Sequence, residues 1–124
     1  MSVIEIHGRL ANTALYYFIF LTLWGFWRFF RKQGMDPSFW GAVVIAEILL
    51  LLQSGLGGYM WVIGLRPARW AHYLYGIVGP MALPMVFMYT KGRQGHPEIL
   101  MYGTTTLITV GLIWRAMITA TTGG

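Results

Sequence analysis

The chain has 124 residues, of which 56% are hydrophobic, 16% aromatic and only 10% charged, whereas about 25% of an average soluble protein is charged. A short chain buries a smaller fraction of its surface than a long one, so this composition excludes an ordinary water-soluble globule and points to a bilayer as solvent. With no cysteine, disulfides, a thiolate nucleophile, iron–sulfur ligation and haem attachment through C-x-x-C-H are excluded too. The net charge of +5 comes from nine Lys and Arg set at the ends of apolar runs, a pattern of membrane-end anchors and not of a nucleic-acid-binding face.

Four apolar segments follow in chain order, Leu10 to Phe30, Phe39 to Ile63, Trp70 to Tyr89 and Ile99 to Thr119, each near the roughly 20 residues that cross a bilayer as a helix. The opening Met-Ser-Val-Ile-Glu-Ile lacks the basic start of a cleavable signal peptide, so the first span is expected to be retained as an anchor. The connections 31–38, 64–69 and 90–98 hold Gly34, Asp36, Pro37, Gly64, Pro67, Gly92, Gly95 and Pro97, and loops this short force antiparallel neighbours. Pro37 and Pro97 stand where helices should begin, because a first-turn proline gives up a donor that had no partner anyway. The fold class predicted is therefore all-α integral membrane: one antiparallel four-helix transmembrane bundle covering residues 1–124.

Four crossings put both termini and the 64–69 turn on one face, here face A, and the other two loops on face B. Face B carries Arg28, Arg31, Lys32, Lys91 and Arg93, against Arg9, Arg66, Arg69 and Arg115 at face A. The positive-inside rule then makes face B cytoplasmic, with both termini on the non-cytoplasmic side of what reads as a bacterial inner membrane.

Polar groups within apolar spans are costly and often functional. His7 precedes the first span and His72 opens the third, and both helices start from face A, so the imidazoles are expected at similar depth. Small residues follow each at helical spacing, Ala11 and Ala14 after His7, Gly76 and Gly79 after His72, and such positions share a face with the histidine. The second span reaches face A through Ser54-Gly55-Leu56-Gly57-Gly58, where a backbone or a flat ring can come close. This arrangement suits a planar macrocycle between helices with an imidazole on either side of its metal. Arg115, together with Arg9, Arg66 and Arg69 at the same level, supplies guanidinium partners for carboxylates such as haem propionates. Taken singly, each histidine reads more readily as an interfacial polar residue than as a ligand, and each Gly or Ala at i+4 as ordinary helix packing; the macrocycle reading rests on the pair at matched depth.

Three further features stand apart. Glu47 lies about two turns inside the second span from face B. It reads either as a proton relay or part of a quinol pocket, or as a neutral acid bonded to Thr104, Thr105 or Thr106. His96 begins the fourth span at face B without a second histidine at its level; it reads as a polar helix entrance, or as a proton-exchange group near a quinone or a single ligand to a chlorin magnesium. Pro80 and Pro84 are expected to kink the third span and open space beside it.

On His7-Gly8-Arg9-Leu10-Ala11, Trp70-Ala71-His72-Tyr73-Leu74-Tyr75-Gly76 and Arg115-Ala116-Met117, the chain resembles the small four-helix membrane cytochromes of b type. The resemblance implies a haem held by histidines on two helices, and electron transfer between a quinol or donor protein and an acceptor. The chain has one histidine pair where the diheme members have two, so a single haem b near face A is what carries over, with His7 and His72 as ligands and Gly76, Arg69 and Arg115 around it.

Two other functions remain open from the residues. One is a non-catalytic accessory subunit of a respiratory or photosynthetic complex, contacting lipid, pigment and other membrane subunits. The other is a small proton-coupled transporter using Glu47, disfavoured because that glutamate stands in the second span. Hydrolysis and group transfer are not expected, since there is no nucleophile with a base beside it, no phosphate loop and no carboxylate pair.

Overall fold

The computed structural model describes residues 2–64 and 71–121. These form four α-helices, α1 (Val3–Phe30), α2 (Pro37–Val62), α3 (Ala71–Thr90) and α4 (His96–Thr121), all long and apolar enough to cross a membrane. Arg66, Pro67, Arg69 and Trp70 lie outside the described residues.

Local chemistry sets the helix ends. The Ser2 hydroxyl caps α1 by accepting from the Glu5 amide at 3.2 Å, and the Glu5 carboxylate lies in the first turn, where the helix dipole favours it. The helix therefore begins ahead of its apolar stretch, and His7 sits within α1 instead of before it. Asp36 caps α2 by accepting from the Phe39 amide at 2.8 Å, with Pro37 in the first turn. At the far ends of α1 and α3, Lys32 and Lys91 adopt left-handed φ of 58° and 54°. The next amide donates back in each case, Gln33 to the Arg28 carbonyl at 2.8 Å and Gly92 to the Phe87 carbonyl at 3.2 Å. A left-handed lysine costs about 1–2 kcal/mol, offset by satisfying helix carbonyls that would otherwise lack donors.

These two ends are latched together. The Met35 amide donates to the Gln94 carbonyl at 2.9 Å, and Arg28 donates to the Gly34 carbonyl through Nε at 2.8 Å and Nη2 at 2.6 Å while pairing with Asp36 at 3.3 Å. A Cβ on Gly34 would stand 2.2 Å from the Gln94 oxygen and 2.9 Å from the Gly95 carbonyl carbon, so only glycine fits. Gly34→Ala is expected to part the two loops and destabilise the fold by about 1–3 kcal/mol, read as a lower melting temperature in detergent. An unchanged melting curve would show that the latch contributes nothing.

Among the described residues the α1 backbone approaches α2 and α4, that of α3 approaches the same two, and the diagonals are crossed only by side chains, such as the Trp40 and Tyr102 rings at 5.5 Å. The helices thus form a four-sided ring of antiparallel neighbours. The α1–α4 side is the closest: Gly25 meets Gly103 so tightly that a Cβ on Gly25 would lie 3.3 Å from the Gly103 Cα. Next to it the buried Thr22 hydroxyl donates to that of Thr106 at 2.9 Å, which donates to the Gly103 carbonyl at 2.9 Å. The core, built on Phe18, Leu21, Phe39, Ala46, Ile99 and Tyr102, fills the half of the ring nearer the latched loops. Leu83 is its only member from α3.

The third helix stays nearer the other half through a different device. Pro80 has no amide hydrogen, so the Gly76 carbonyl four residues earlier loses its helical donor. The Ser54 hydroxyl of α2 replaces it, donating to that carbonyl at 2.7 Å.

Candidate functional site

In the unlatched half, toward face A, the ring leaves a half-open cavity of about 910 Å³ that touches all four helices. Leu50, Ala14, Pro80 and Thr109 line it deep in the bundle, and Glu5, Arg9, Tyr73 and Met117 nearer the ends. This volume falls within the roughly 300–1,000 Å³ of ligand sites.

The two histidines predicted from the sequence to act as a pair both line this cavity. His7 comes from α1 and His72 from α3, which face each other across the ring without backbone contact. Their imidazole centroids are 6.2 Å apart, with the ring planes at 69°. His72 Nδ1 lies 2.8 Å from the Ala116 carbonyl. A carbonyl only accepts, so this bond requires the proton on Nδ1 and leaves Nε2 with its lone pair. A ring fixed in this way is the arrangement found behind most metal-ligating histidines. The His7 ring has no such restraint: its Nδ1 is buried with no hydrogen-bond partner, and a buried nitrogen in that condition needs an explanation. His7 is held instead through its backbone, whose carbonyl accepts from Gln53 Nε2 at 2.8 Å. The Gln53 Oε1 is itself buried and unpartnered.

Between these groups the wall is glycine. Gly8, Gly58, Gly76 and Gly79 all line the cavity, and a Cβ built on any of them meets no other atom within 4 Å. A small side chain at any of these positions would strike no protein atom. At Gly57 a Cβ would lie 3.6 Å from His7 Cε1, so the second helix crosses at van der Waals distance from that ring.

The other predicted site residues are distributed differently. Gly76 lines the cavity, as does Arg9. Arg115 is exposed and does not line it; its neighbour Ala116 does. Arg69 lies outside the described residues. Glu47 is half-buried on α2, one turn from the lining Leu50, and its Oε1 is buried without a partner. The threonines weighed as its partners are on α4, diagonally opposite α2. Thr105 donates to the Met101 carbonyl at 2.8 Å and Thr106 to that of Gly103 at 2.9 Å. His96 is at the opposite end of the bundle, stacked on Phe29 at 4.9 Å and 19°. Gln53, with its bond to His7, was not singled out from the sequence; its signal was a lone amide in the run Leu51-Leu52-Gln53-Ser54-Gly55.

Among the described residues no three His, Cys, Asp or Glu side chains are grouped as a metal site. The histidine pair therefore stands as two donors facing one cavity. A scan of known protein families and searches of curated proteins and of solved structures each return no match to this chain.

Proposed function

We propose that the chain is an integral membrane bundle that binds one haem of b type between His7 and His72 and passes single electrons as a subunit of a respiratory or photosynthetic complex. The observation that carries this reading is the spacing of the imidazoles. Two rings bound to one metal through bonds of about 2.0–2.1 Å have centroids roughly 6.2–6.5 Å apart, and the pair in this chain is separated by 6.2 Å. Two protein donors alone hold a bare ion poorly, but they suffice for an iron whose other four positions are filled by a macrocycle. The glycines with open space beside them are compatible with a flat ring, and the buried His7 Nδ1 has no hydrogen-bond partner. When bound, the haem supplies a one-electron couple; the protein orients it and keeps water away.

The membrane setting is supported by the outward face, where Phe30, Val62 and Met88 are 77%, 75% and 74% exposed, large apolar groups that water disfavours. Arg31 over the Trp27 ring at 5.4 Å is a typical interfacial pairing. The larger number of basic residues at the latched end supports a reading in which that end faces the cytoplasm across a bacterial inner membrane. Arg9 is better positioned than Arg115 to meet a propionate, since it lines the cavity.

A dithionite-reduced minus air-oxidised absorbance spectrum of the purified protein in mild detergent, with pigment extraction alongside, tests the reading. The expected result is a sharp b-type band at near one haem per chain. A chlorin in the extract would replace haem with a pigment-binding accessory role, and neither chromophore would leave a structural subunit.

A further inference from the structure

Glu47 belongs to a stripe along one flank of α2. Trp40, Glu47 and Ser54 are spaced by seven residues, or two helical turns, and so share one flank. That flank runs along α3: the Trp40 ring meets Phe87 at 5.8 Å, as well as Tyr102 of α4 at 5.5 Å, and the Ser54 hydroxyl donates to the Gly76 carbonyl at 2.7 Å. Glu47 is thus set in the α2–α3 seam midway between two measured contacts. Opposite it α3 carries its second proline, Pro84, which leaves the Pro80 carbonyl without a helical donor as Pro80 does for Gly76. Pro80 also lines the cavity. Glu47 itself is one turn from the lining Leu50, and its Oε1 is buried with no hydrogen-bond partner among the described residues.

No fixed charge on the neighbouring helices governs it. α1 has none between Arg9 and Arg28, and α3 has no Asp, Glu, Lys or Arg over 71–90. The titratable groups on these two helices are Glu5, His7, Arg9, Tyr16, Tyr17 and Arg28 on α1, and His72, Tyr73, Tyr75 and Tyr89 on α3; Tyr102 of α4 also meets this flank, at Trp40. Tyr17 is occupied, its hydroxyl donating to the Ala42 carbonyl at 2.5 Å. The charge that can change is that of the cavity's occupant; Gly57, against the His7 ring, is ten residues or about 15 Å along α2 from Glu47, and in a medium of low dielectric two charges still interact over such a distance.

We propose that Glu47 is a proton-exchange site coupled to the redox state of the cavity, taking up one proton from solvent as the occupant accepts one electron and releasing it on oxidation. The electron comes from a one-electron donor, dithionite or an electrode mediator in the test; the proton converts the Glu47 carboxylate to the acid, so net charge near the cavity is unchanged. This rests on the haem reading above.

The test is a spectroelectrochemical titration of the haem-loaded protein at several pH values, with Glu47→Gln and Glu47→Asp as variants. Reduction coupled to protonation is disfavoured as protons become scarce, so the wild-type midpoint should fall as pH rises. The limit is tenfold in the reduction equilibrium per pH unit, which converts to about 59 mV for one electron. Glu47→Gln should bind a full complement of haem with a midpoint independent of pH, and Glu47→Asp should keep a slope. In the haem-free protein, an infrared carboxylic C=O band that titrates and is missing from Glu47→Gln gives a readout independent of the cofactor. Full haem binding with a flat wild-type midpoint, or a slope unchanged in Glu47→Gln, would overturn the coupling while leaving the haem site intact. Failure to bind haem would overturn both.

Discussion

His72→Ala, purified in the detergent used for the native chain, is expected to keep its helical content and lose its haem, falling from near one per chain to less than about a tenth. The basis is that weakening even a group behind a metal ligand costs about 10–100-fold in affinity, and removal of the ligand itself costs at least as much. His7→Ala should behave in the same way. Neither imidazole belongs to the hydrophobic core, which is built from residues such as Phe18, Phe39 and Tyr102 in the other half of the ring, so helicity by circular dichroism should be unaffected. His72→Ala also removes the donor to the Ala116 carbonyl, and a net hydrogen bond is worth only about 0.5–1.5 kcal/mol. A full haem complement in either variant would refute the paired-ligand arrangement.

Gly76→Leu should separate binding from folding from the opposite direction, by filling the site and leaving both histidines in place. A Cβ at Gly76 meets nothing within 4 Å, and the position lines the cavity, so the new side chain projects into space that a ligand needs. Glycine within a helix is about 1 kcal/mol less favourable than a good helix former, and the substitution is therefore expected to hold or slightly raise the melting temperature of the haem-free protein. The loaded protein should show at least a tenfold loss of haem affinity, comparable with the effect of disturbing a ligand's surroundings. Native haem content in Gly76→Leu would mean that the cavity is not where the group binds. A collapse of the fold would mean that the open space beside Gly76 is required for packing.

The four helices were legible because their apolar runs are long and their connections short, which leaves little choice of architecture. The depth match of His7 and His72 was legible for the same reason: antiparallel order places the starts of α1 and α3 at one end. Rotation about each helix axis was not legible. α4 is apolar on most sides, so its sequence does not reveal that Ala116 turns inward and Arg115 outward. The start of α1 escaped the apolar pattern because it is set by the Ser2 cap and Glu5, which are polar. The tie between α2 and α3 can be read only when Pro80 is counted back four residues to Gly76 and a hydroxyl is sought on a neighbouring helix.

The latch at Gly34 and Gln94 makes the bundle a pair of tweezers joined at one end. Each histidine sits some 20–27 residues along a helix from that joint, a lever of roughly 30–40 Å at 1.5 Å per residue. One degree of splay at the joint then moves the tips by about 0.6 Å, whereas metal–ligand distances are held to within about 0.2 Å. The gap between the imidazoles is accordingly the dimension of this molecule most sensitive to its loops. A change as remote as Arg28 or Gly34 can therefore act on the gap at the other end through the angle between the helices.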